Sequence, residues 1–370
     1  MYPEYKKTRE YLQPIAATAH CANAQDTGMP TDAQPLLDRC HHPLVRDLAW
    51  LLLAPDLIAM PWPGRPSREQ LGLEDDDRAA DWLDKLEAWP QVLESQVGDA
   101  LLGRMGLYHE RLWQFLLDTA PGTQLLAHNL PILDGKLTLG ELDLLYRCQT
   151  EASITHLEVA IKFYLGLKEG PGDDHAQARW IGPGGADSLA GKREHLHRHQ
   201  LRMTERPETR DAIKAVLEQH GDRAGALPSL TSRVAMPGVL FTPWHHPLPP
   251  PREATRNHLQ GLWLHWHDWH RYRDGLPRGT RGLRLHKPHW LALPRPEHLK
   301  PLRELEAQLI AYFRAPAPPL QIALWHPEAG WKRLFIVADD WPRQIPLPPP
   351  PIAPRPSLSG MSEAPQGYPQ

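Results

Sequence analysis

Acidic residues and a lysine alternate with apolar residues in two stretches of the chain, GELDLLY and HLEVAIKFYL. Successive side chains of a β-strand point to opposite faces, so Glu141 and Asp143 share one face of the first predicted strand. Glu158 and Lys162 share one face of the second predicted strand, opposite its apolar residues. If the two strands are neighbours, Asp143, Glu158 and Lys162 point into one pocket.

Carboxylates and a lysine in one pocket are the groups that metal-assisted phosphodiester hydrolysis uses. Mg²⁺ or Mn²⁺ prefers carboxylate oxygens, so Asp143 and Glu158 are the predicted metal ligands. A bound cation holds the scissile phosphate and lowers the pKa of an attacking water, and Lys162 would stabilise the charge that develops on the phosphate. The alternative is a half-exposed sheet whose polar face is simply solvated.

A histidine cluster offers a second kind of chemistry. His265, His267 and His270 lie close together in LHWHDWHRY and approach the HxHxDH pattern of zinc hydrolases. Asp268 comes one residue too early for that pattern, and the chain has 21 histidines, so chance clusters are expected. A zinc hydrolase is therefore the third-ranked hypothesis.

Periodicity predicts the elements that position these residues. Helical spacing is seen over Pro43 to Ile58, over the acidic stretch that follows Asp75, and over Ala100 to Thr119. Three short strands follow, the last of them SITHLEVAIKFYLGL, and then a helix from Ser188 to Met203 with Asp187 as its candidate N-cap. The region beyond 225 reads as short strands separated by Pro-rich loops, with one helix near Leu302–Tyr312.

Composition limits the compartment and the partners. No apolar run is long enough to span a bilayer, the N-terminus lacks the apolar core of a secretory signal, and three scattered cysteines form no disulfide framework. We therefore expect a cytoplasmic protein without a membrane partner.

Residues 1–178 carry 15 Lys and Arg against 27 Asp and Glu, whereas residues 179–314 carry 22 against 13. The basic part suits nucleic acid, although two solvated surfaces explain the asymmetry equally well.

Several segments in one order resemble a bacterial domain family of unknown function, DUF1853. They are VRDLAWLLLAPDLI, LGRMGLYHERLWQFLL, GELDLLY, THLEVAIKFYL, IGPGGADSLAGKREHLHRHQL and RLFIVADDWP. That family resembles the PD-(D/E)XK nucleases, which implies a core of helix, three-stranded meander, helix and further strand. The resemblance also implies roles for six residues: Glu110 as the acid of the first helix, Asp143, Glu158 and Lys162 at the metal site, and Lys192 and Gln200 as supporting residues on the second helix.

The chain departs from the nuclease pattern at the lysine. The usual spacing is acid-x-Lys, but here the residue two before Lys162 is Ala160, and Glu158 lies four before it. In a regular strand this separates the two Cα atoms by roughly 13 Å instead of roughly 7 Å. A bulge would close the gap, or Lys192 and Glu141 would act as substitutes.

The sequence thus predicts an α/β protein with a PD-(D/E)XK-like core, a mixed sheet flanked by helices. We expect a disordered N-terminus (1–35), a helical part (36–99), the nuclease-like core (100–205), a Trp- and His-rich β-containing part (206–342) and a disordered Pro-rich tail (343–370). The first functional hypothesis is a Mg²⁺- or Mn²⁺-dependent nuclease acting on DNA or RNA. The second is an inactive nuclease-like scaffold that binds nucleic acid or a protein.

Overall fold

A computed structural model describes Met29 and residues 33–151, 153–222 and 227–349. The predicted disordered N-terminus therefore lies almost wholly outside the described residues, as does the Pro-rich tail from residue 350 onward. Among the described residues, helices α1 to α9 span Gln34–Arg39, Pro43–Leu53, Asp76–Ala88, Gln91–Val97, Met105–Thr119, Leu189–His195, Pro207–Gln219, Trp269–Asp274 and Leu302–Tyr312. Strands β1 to β12 span Thr123–Asp134, Leu137–Cys148, Ile154–Val159, Lys162–Gly166, Trp180–Ile181, Leu230–Ala235, Gly238–Pro243, Leu259–His265, Arg281–Leu285, Lys300–Pro301, Leu320–His326 and Gly330–Val337.

The first sheet has four strands in the order β1-β2-β3-β6. Strands β1, β2 and β3 pair antiparallel, and β6 pairs parallel with β3. Helix α5 packs against β1, β2 and β3, whereas α7 packs against β1. Apolar residues of β2 belong to two different core clusters, one shared with α5 and one with α7, so the sheet is covered on both faces. The strands that carry Asp143 and Glu158 are therefore adjacent and antiparallel, as the alternation predicts.

The second sheet has eight strands in the order β10-β9-β11-β12-β8-β7-β4-β5. Its centre is parallel, because β4, β7, β8 and β12 run in one direction. Antiparallel strands complete both edges. Together the two mixed sheets and their flanking helices confirm the α/β class. None of the described helices has the length and apolar character that crossing a bilayer requires.

The predicted strand SITHLEVAIKFYLGL is in fact two strands that lie in different sheets. Strand β3 ends at Val159 and β4 begins at Lys162, so Glu158 and Lys162 do not share one strand. The parallel partner breaks at the same level, since β6 leads into β7 through Met236 and Pro237. Pro237 has no N–H to donate, which interrupts the ladder there.

Two strand pairs nevertheless keep one register across this break. Ile154 faces Leu230 before it and Lys162 faces Gly238 after it. Close approach requires the glycine, because a Cβ at position 238 would lie 1.7 Å from the carbonyl oxygen of Lys162. Because the register is the same on both sides, the break near Ala160 is not the bulge that the acid-to-lysine spacing required; one sheet ends there and the next begins.

The helix predicted from Ser188 to Met203 is shorter and begins differently. Its N-cap is Ser188, whose Oγ accepts a hydrogen bond from the Gly191 amide, so the assignment of Asp187 as N-cap is wrong. Helix α6 continues as a π-helical turn over Leu196–Gln200. Farther along, the predicted helix at Leu302–Tyr312 is confirmed, whereas part of LHWHDWHRY forms α8 instead of strand.

Candidate metal-binding carboxylate site

Two acidic side chains meet where β2 and β3 pair. Leu144 faces Leu157 across the two strands, and Asp143 and Glu158 are the next residues along in each. Asp143 Oδ2 accepts a hydrogen bond from the Val159 amide at 3.0 Å. This bond ties the Asp143 carboxylate to the end of β3, beside the Glu158 side chain.

Glu158 is the unusual member of the pair because its side chain is fully buried and poorly satisfied. Its exposed fraction is 0%, and no well-aligned hydrogen bond from a described residue reaches either carboxylate oxygen. The nearest ring is that of His156, whose Nε2 lies 3.3 Å from Glu158 Oε1. Burial lowers the pKa of His156 to about 4, so the ring is neutral at pH 7 and supplies no counter-charge.

Burial also changes the acidity of both carboxyls. It raises the pKa of Asp143 to about 7, with the Glu158 charge adding to the effect and the Val159 amide opposing it. Burial likewise raises the pKa of Glu158 to about 7, opposed by the nearby charge of Lys192 and by the Asp143 carboxyl. A cation at this position would lower both pKa values, because opposite charge favours the ionised form.

Two lysines lie beside the carboxyl pair, and they are held differently. Lys192 is the nearer to Glu158, whose negative charge opposes the burial that lowers the pKa of the Lys192 ammonium. Its Nζ donates to Gln200 Oε1 at 2.9 Å. Lys162 instead donates to Asp187 Oδ2 at 2.9 Å. The Lys162 charge also helps to lower the pKa of Lys192, so the two ammonium groups are neighbours.

Two further acids complete the cluster. Glu110 on α5 adds to the upward pKa shifts of both Asp143 and Glu158, and its Oε1 accepts from Gln114 Nε2 at 3.0 Å. Glu141 is exposed on β2 and adds to the upward pKa shift of Glu158. Glu110, Glu141, Asp143 and Glu158 thus lie close enough to interact electrostatically, and Lys192 lies near Glu158. Gln200 contacts Lys192, whereas Lys162 pairs with Asp187.

Sequence reasoning missed two participants, His156 and Asp187. His156 lies two residues before Glu158, so the alternation that selected Glu158 also places His156 on the same face of β3. The sequence suggests Asp187 as a helix cap, whereas in the structure its carboxylate forms an ion pair with Lys162. Its partner lies 25 residues earlier in the chain, and no local pattern reveals such a pairing.

A second buried carboxylate provides a useful contrast. Asp47 on α2 accepts from Tyr108 Oη at 2.7 Å, from His289 Nδ1 at 2.8 Å and from the Ala292 amide at 2.9 Å. Both of its oxygens are satisfied by the protein, so Asp47 has a structural role. Glu158 is equally buried, and none of the described residues donates a well-aligned hydrogen bond to it.

The donor set at the carboxyl pair fits a hard divalent cation. Mg²⁺ takes oxygen ligands and is usually held by one or two carboxylates, with water and phosphate completing the shell. Asp143 and Glu158 supply such oxygens, and the two oxygens of Glu158 lack hydrogen-bond donors among the described residues. Burial of the ionised form of Glu158 is costly despite the nearby charge of Lys192, and a bound cation would offset that cost.

The predicted histidine cluster is assembled differently from the expectation. His265 and His267 stack with ring centroids 5.3 Å apart. His270 lies on α8 and turns to Glu306, with 3.6 Å between its Nδ1 and the carboxylate Oε1. His270 is therefore not the third member of the group, and Asp268 takes that place.

Comparison with known proteins identifies one family. A model of DUF1853, described as a domain of unknown function, matches residues 46–337. No curated protein and no solved structure matches the chain. The matched range contains every residue of the carboxylate site.

Proposed function

The chain belongs to the DUF1853 family, and we propose that it is a metal-dependent nuclease that hydrolyses phosphodiester bonds in DNA or RNA with Mg²⁺ or Mn²⁺. One observation carries this proposal. Glu158 is a fully buried carboxylate that receives no well-aligned hydrogen bond from the described residues, and it lies beside Asp143 and Lys192. A buried carboxylate without aligned donors is suited to bind a hard divalent cation, because the ion supplies a positive charge in direct contact with its oxygens.

The order of elements around the site supports a PD-(D/E)XK-like core. Helix α5 precedes a three-stranded antiparallel meander, and β6 then joins the sheet parallel to β3. The segment between β3 and β6 contains α6, the helix with Lys192. With β4, β5 and α7 set aside as insertions, this order agrees with the helix, meander, helix and further strand that the resemblance implies.

In this proposal Asp143 and Glu158 hold the cation, with Glu110 and Glu141 adding negative charge nearby. The bound ion would bind the scissile phosphate and lower the pKa of the attacking water. Neutral His156 lies against Glu158 and leaves its charge free for the ion. The raised pKa values of the two carboxyls mean that cation binding displaces protons near pH 7.

Lys192 best fills the role of the nuclease lysine. Its charge acts directly on Glu158, whereas the ammonium of Lys162 is engaged by Asp187. A buried ammonium beside the carboxyl pair is placed to stabilise negative charge on a bound phosphate. Gln200 accepts from Lys192 and fixes its position, and Lys162 supplies a second, more exposed positive charge.

We further propose that the partner is nucleic acid and the compartment is the cytoplasm. The excess of positive charge in residues 179–314 supports a polyanionic partner. The competing hypothesis is a scaffold that binds nucleic acid or protein without cleaving it. The spacing between Glu158 and Lys162 supports the scaffold hypothesis, because it departs from the acid-x-Lys pattern of the nucleases.

A cleavage panel separates these hypotheses. The full chain is incubated with single-stranded, duplex and branched DNA and RNA, with Mg²⁺ or Mn²⁺ and with chelator. Asp143→Asn removes one anionic ligand but keeps the shape, so the cleavage rate should fall about 100-fold or more. Asp134→Asn, an exposed change of the same type at the end of β1, is the matched control and should cleave like the wild type.

Two outcomes contradict the proposal. Cleavage that survives Asp143→Asn unchanged refutes the site assignment. Nucleic-acid binding by the wild type without cleavage under any of these conditions favours the scaffold.

A further inference from the structure

A group of metal-ligand side chains lies in the second sheet, apart from the strands that carry the carboxylate site. His265 ends β8, and His267 and Asp268 follow in a short 3-10 turn. Strands β8 and β12 are parallel neighbours, with His265 facing Val337, so the residues after both strands meet at one edge of the sheet. Asp339 comes just after β12 and approaches the same turn.

In each imidazole, one ring nitrogen donates a hydrogen bond to the protein, which leaves the other nitrogen free to bind a metal. His267 Nδ1 donates to Asp339 Oδ1 at 3.0 Å, and the same oxygen accepts from the His267 amide at 2.8 Å. His265 Nε2 donates to the Trp341 carbonyl at 2.8 Å. These bonds leave His267 Nε2 and His265 Nδ1 as lone-pair donors. Metal-binding histidines are oriented in this way, by a carboxylate or carbonyl on the far nitrogen.

The spacing of the donor atoms suits a tetrahedral ion. His267 Nε2 lies 3.6 Å from Asp268 Oδ2, and two ligands at about 2.0–2.1 Å on a tetrahedral Zn²⁺ are roughly 3.4 Å apart. One candidate ligand atom from each of His265, His267 and Asp268 lies within 4.8 Å of the others. The side chain of His267 is 60% exposed, so a small rotation can bring its nitrogen closer.

We propose that His265, His267 and Asp268 form a site for a divalent transition metal, with Zn²⁺ as the best fit. Imidazole and carboxylate ligands suit Zn²⁺, and three protein ligands leave a fourth position for water. Asp339 and the Trp341 carbonyl orient the two rings. The site differs from the carboxylate site in its donors, since nitrogen ligands select against Mg²⁺. It stands independently of the proposed nuclease chemistry.

The test is Zn²⁺ binding by isothermal titration calorimetry on the full chain without an affinity tag. Excess Mg²⁺ is present so that Zn²⁺ does not occupy the carboxylate site. The wild type should bind one Zn²⁺ per chain, and His267→Ala should weaken that binding at least about tenfold. Asp339→Ala, which removes the oxygen that accepts from His267 Nδ1 and from the His267 amide, should weaken it by about 10- to 100-fold.

His270→Ala is the matched control for His267→Ala. The two histidines are similarly exposed and three residues apart, but His270 turns to Glu306. Its replacement should leave Zn²⁺ affinity unchanged. The proposal is overturned if the wild type shows no saturable Zn²⁺ binding or if His267→Ala binds Zn²⁺ as tightly as the wild type. It is also overturned if His270→Ala weakens Zn²⁺ binding as much as His267→Ala does.

Discussion

Glu158→Gln should stabilise the metal-free protein at alkaline pH while abolishing its response to Mg²⁺. The wild-type side chain is a fully buried carboxylate with no aligned donor among the described residues. Its ionised form is unfavourable in that environment, and glutamine has nearly the same shape without the charge. Most single substitutions are neutral or destabilising, so a gain in stability is a distinctive expectation.

The magnitude follows from the acidity of Glu158. Burial raises its pKa from an ordinary 4.5 to about 7, and each pKa unit corresponds to about 1.36 kcal/mol. Because the folded-state pKa lies above the unfolded one, stability is full below about pH 4 and is lost as the pH rises through 7. The free energy of unfolding of the wild type should therefore fall, relative to Glu158→Gln, by about 2–3 kcal/mol between pH 5 and pH 8.

Equilibrium urea unfolding, followed by tryptophan fluorescence in the presence of chelator, measures this difference at the two pH values. Glu169→Gln makes the same change at an exposed position and should show no pH-dependent difference from wild type. The comparison between variants cancels the titrating groups that do not interact with Glu158, whereas the loss of the Glu158 charge also lowers the raised pKa of Asp143. A difference between wild type and Glu158→Gln that is the same at pH 5 and pH 8 would refute the account of Glu158 as a strained buried acid.

Three other substitutions and one salt titration test the roles of the lysines, of Asp47 and of the positive charge. Lys192→Met should move the pH midpoint of Mn²⁺ binding upward by about one unit, because the lysine lowers the pKa of Glu158. Lys162→Met should move it less, since that ammonium pairs with Asp187. Asp47→Asn should lower the free energy of unfolding by about 3–5 kcal/mol, because a buried carboxylate loses its charge while its three donors remain. Nucleic-acid affinity should fall steeply between roughly 50 and 200 mM salt in a filter-binding assay, and a flat salt dependence would contradict an electrostatic interface.

Alternation was enough to predict that Asp143 and Glu158 lie on neighbouring strands. The pattern GELDLLY places Asp143 on one face of a strand, and the next strand along places Glu158 beside it. Local information suffices there because β2 and β3 are consecutive and antiparallel. The second segment, HLEVAIKFYL, also places His156 on the face of Glu158, two residues before it.

Two features of the structure depend on contacts between residues far apart in the chain, and the sequence did not predict them: the strand break after Val159 and the N-cap of α6. The break after Val159 coincides with the prolyl residue at 237 on the parallel partner, far away in the chain. Ser188 and Asp187 are both good N-cap residues; in the structure Ser188 caps the helix, and Asp187 pairs with Lys162. Propensity treats the two alike, since it contains no information about a partner on another strand.

Mn²⁺ binding to the carboxyl pair tests the central claim most directly. Electron paramagnetic resonance counts free Mn²⁺, so a titration at pH 8 gives the number of sites and their affinity without any substrate. The account predicts one Mn²⁺ per chain in the wild type, competed by Mg²⁺, lost in Asp143→Asn and in Glu158→Gln, and retained in Asp134→Asn and in His267→Ala. Wild-type binding that persists unchanged in both Asp143→Asn and Glu158→Gln, or an absence of any saturable Mn²⁺ site in the wild type, would contradict it.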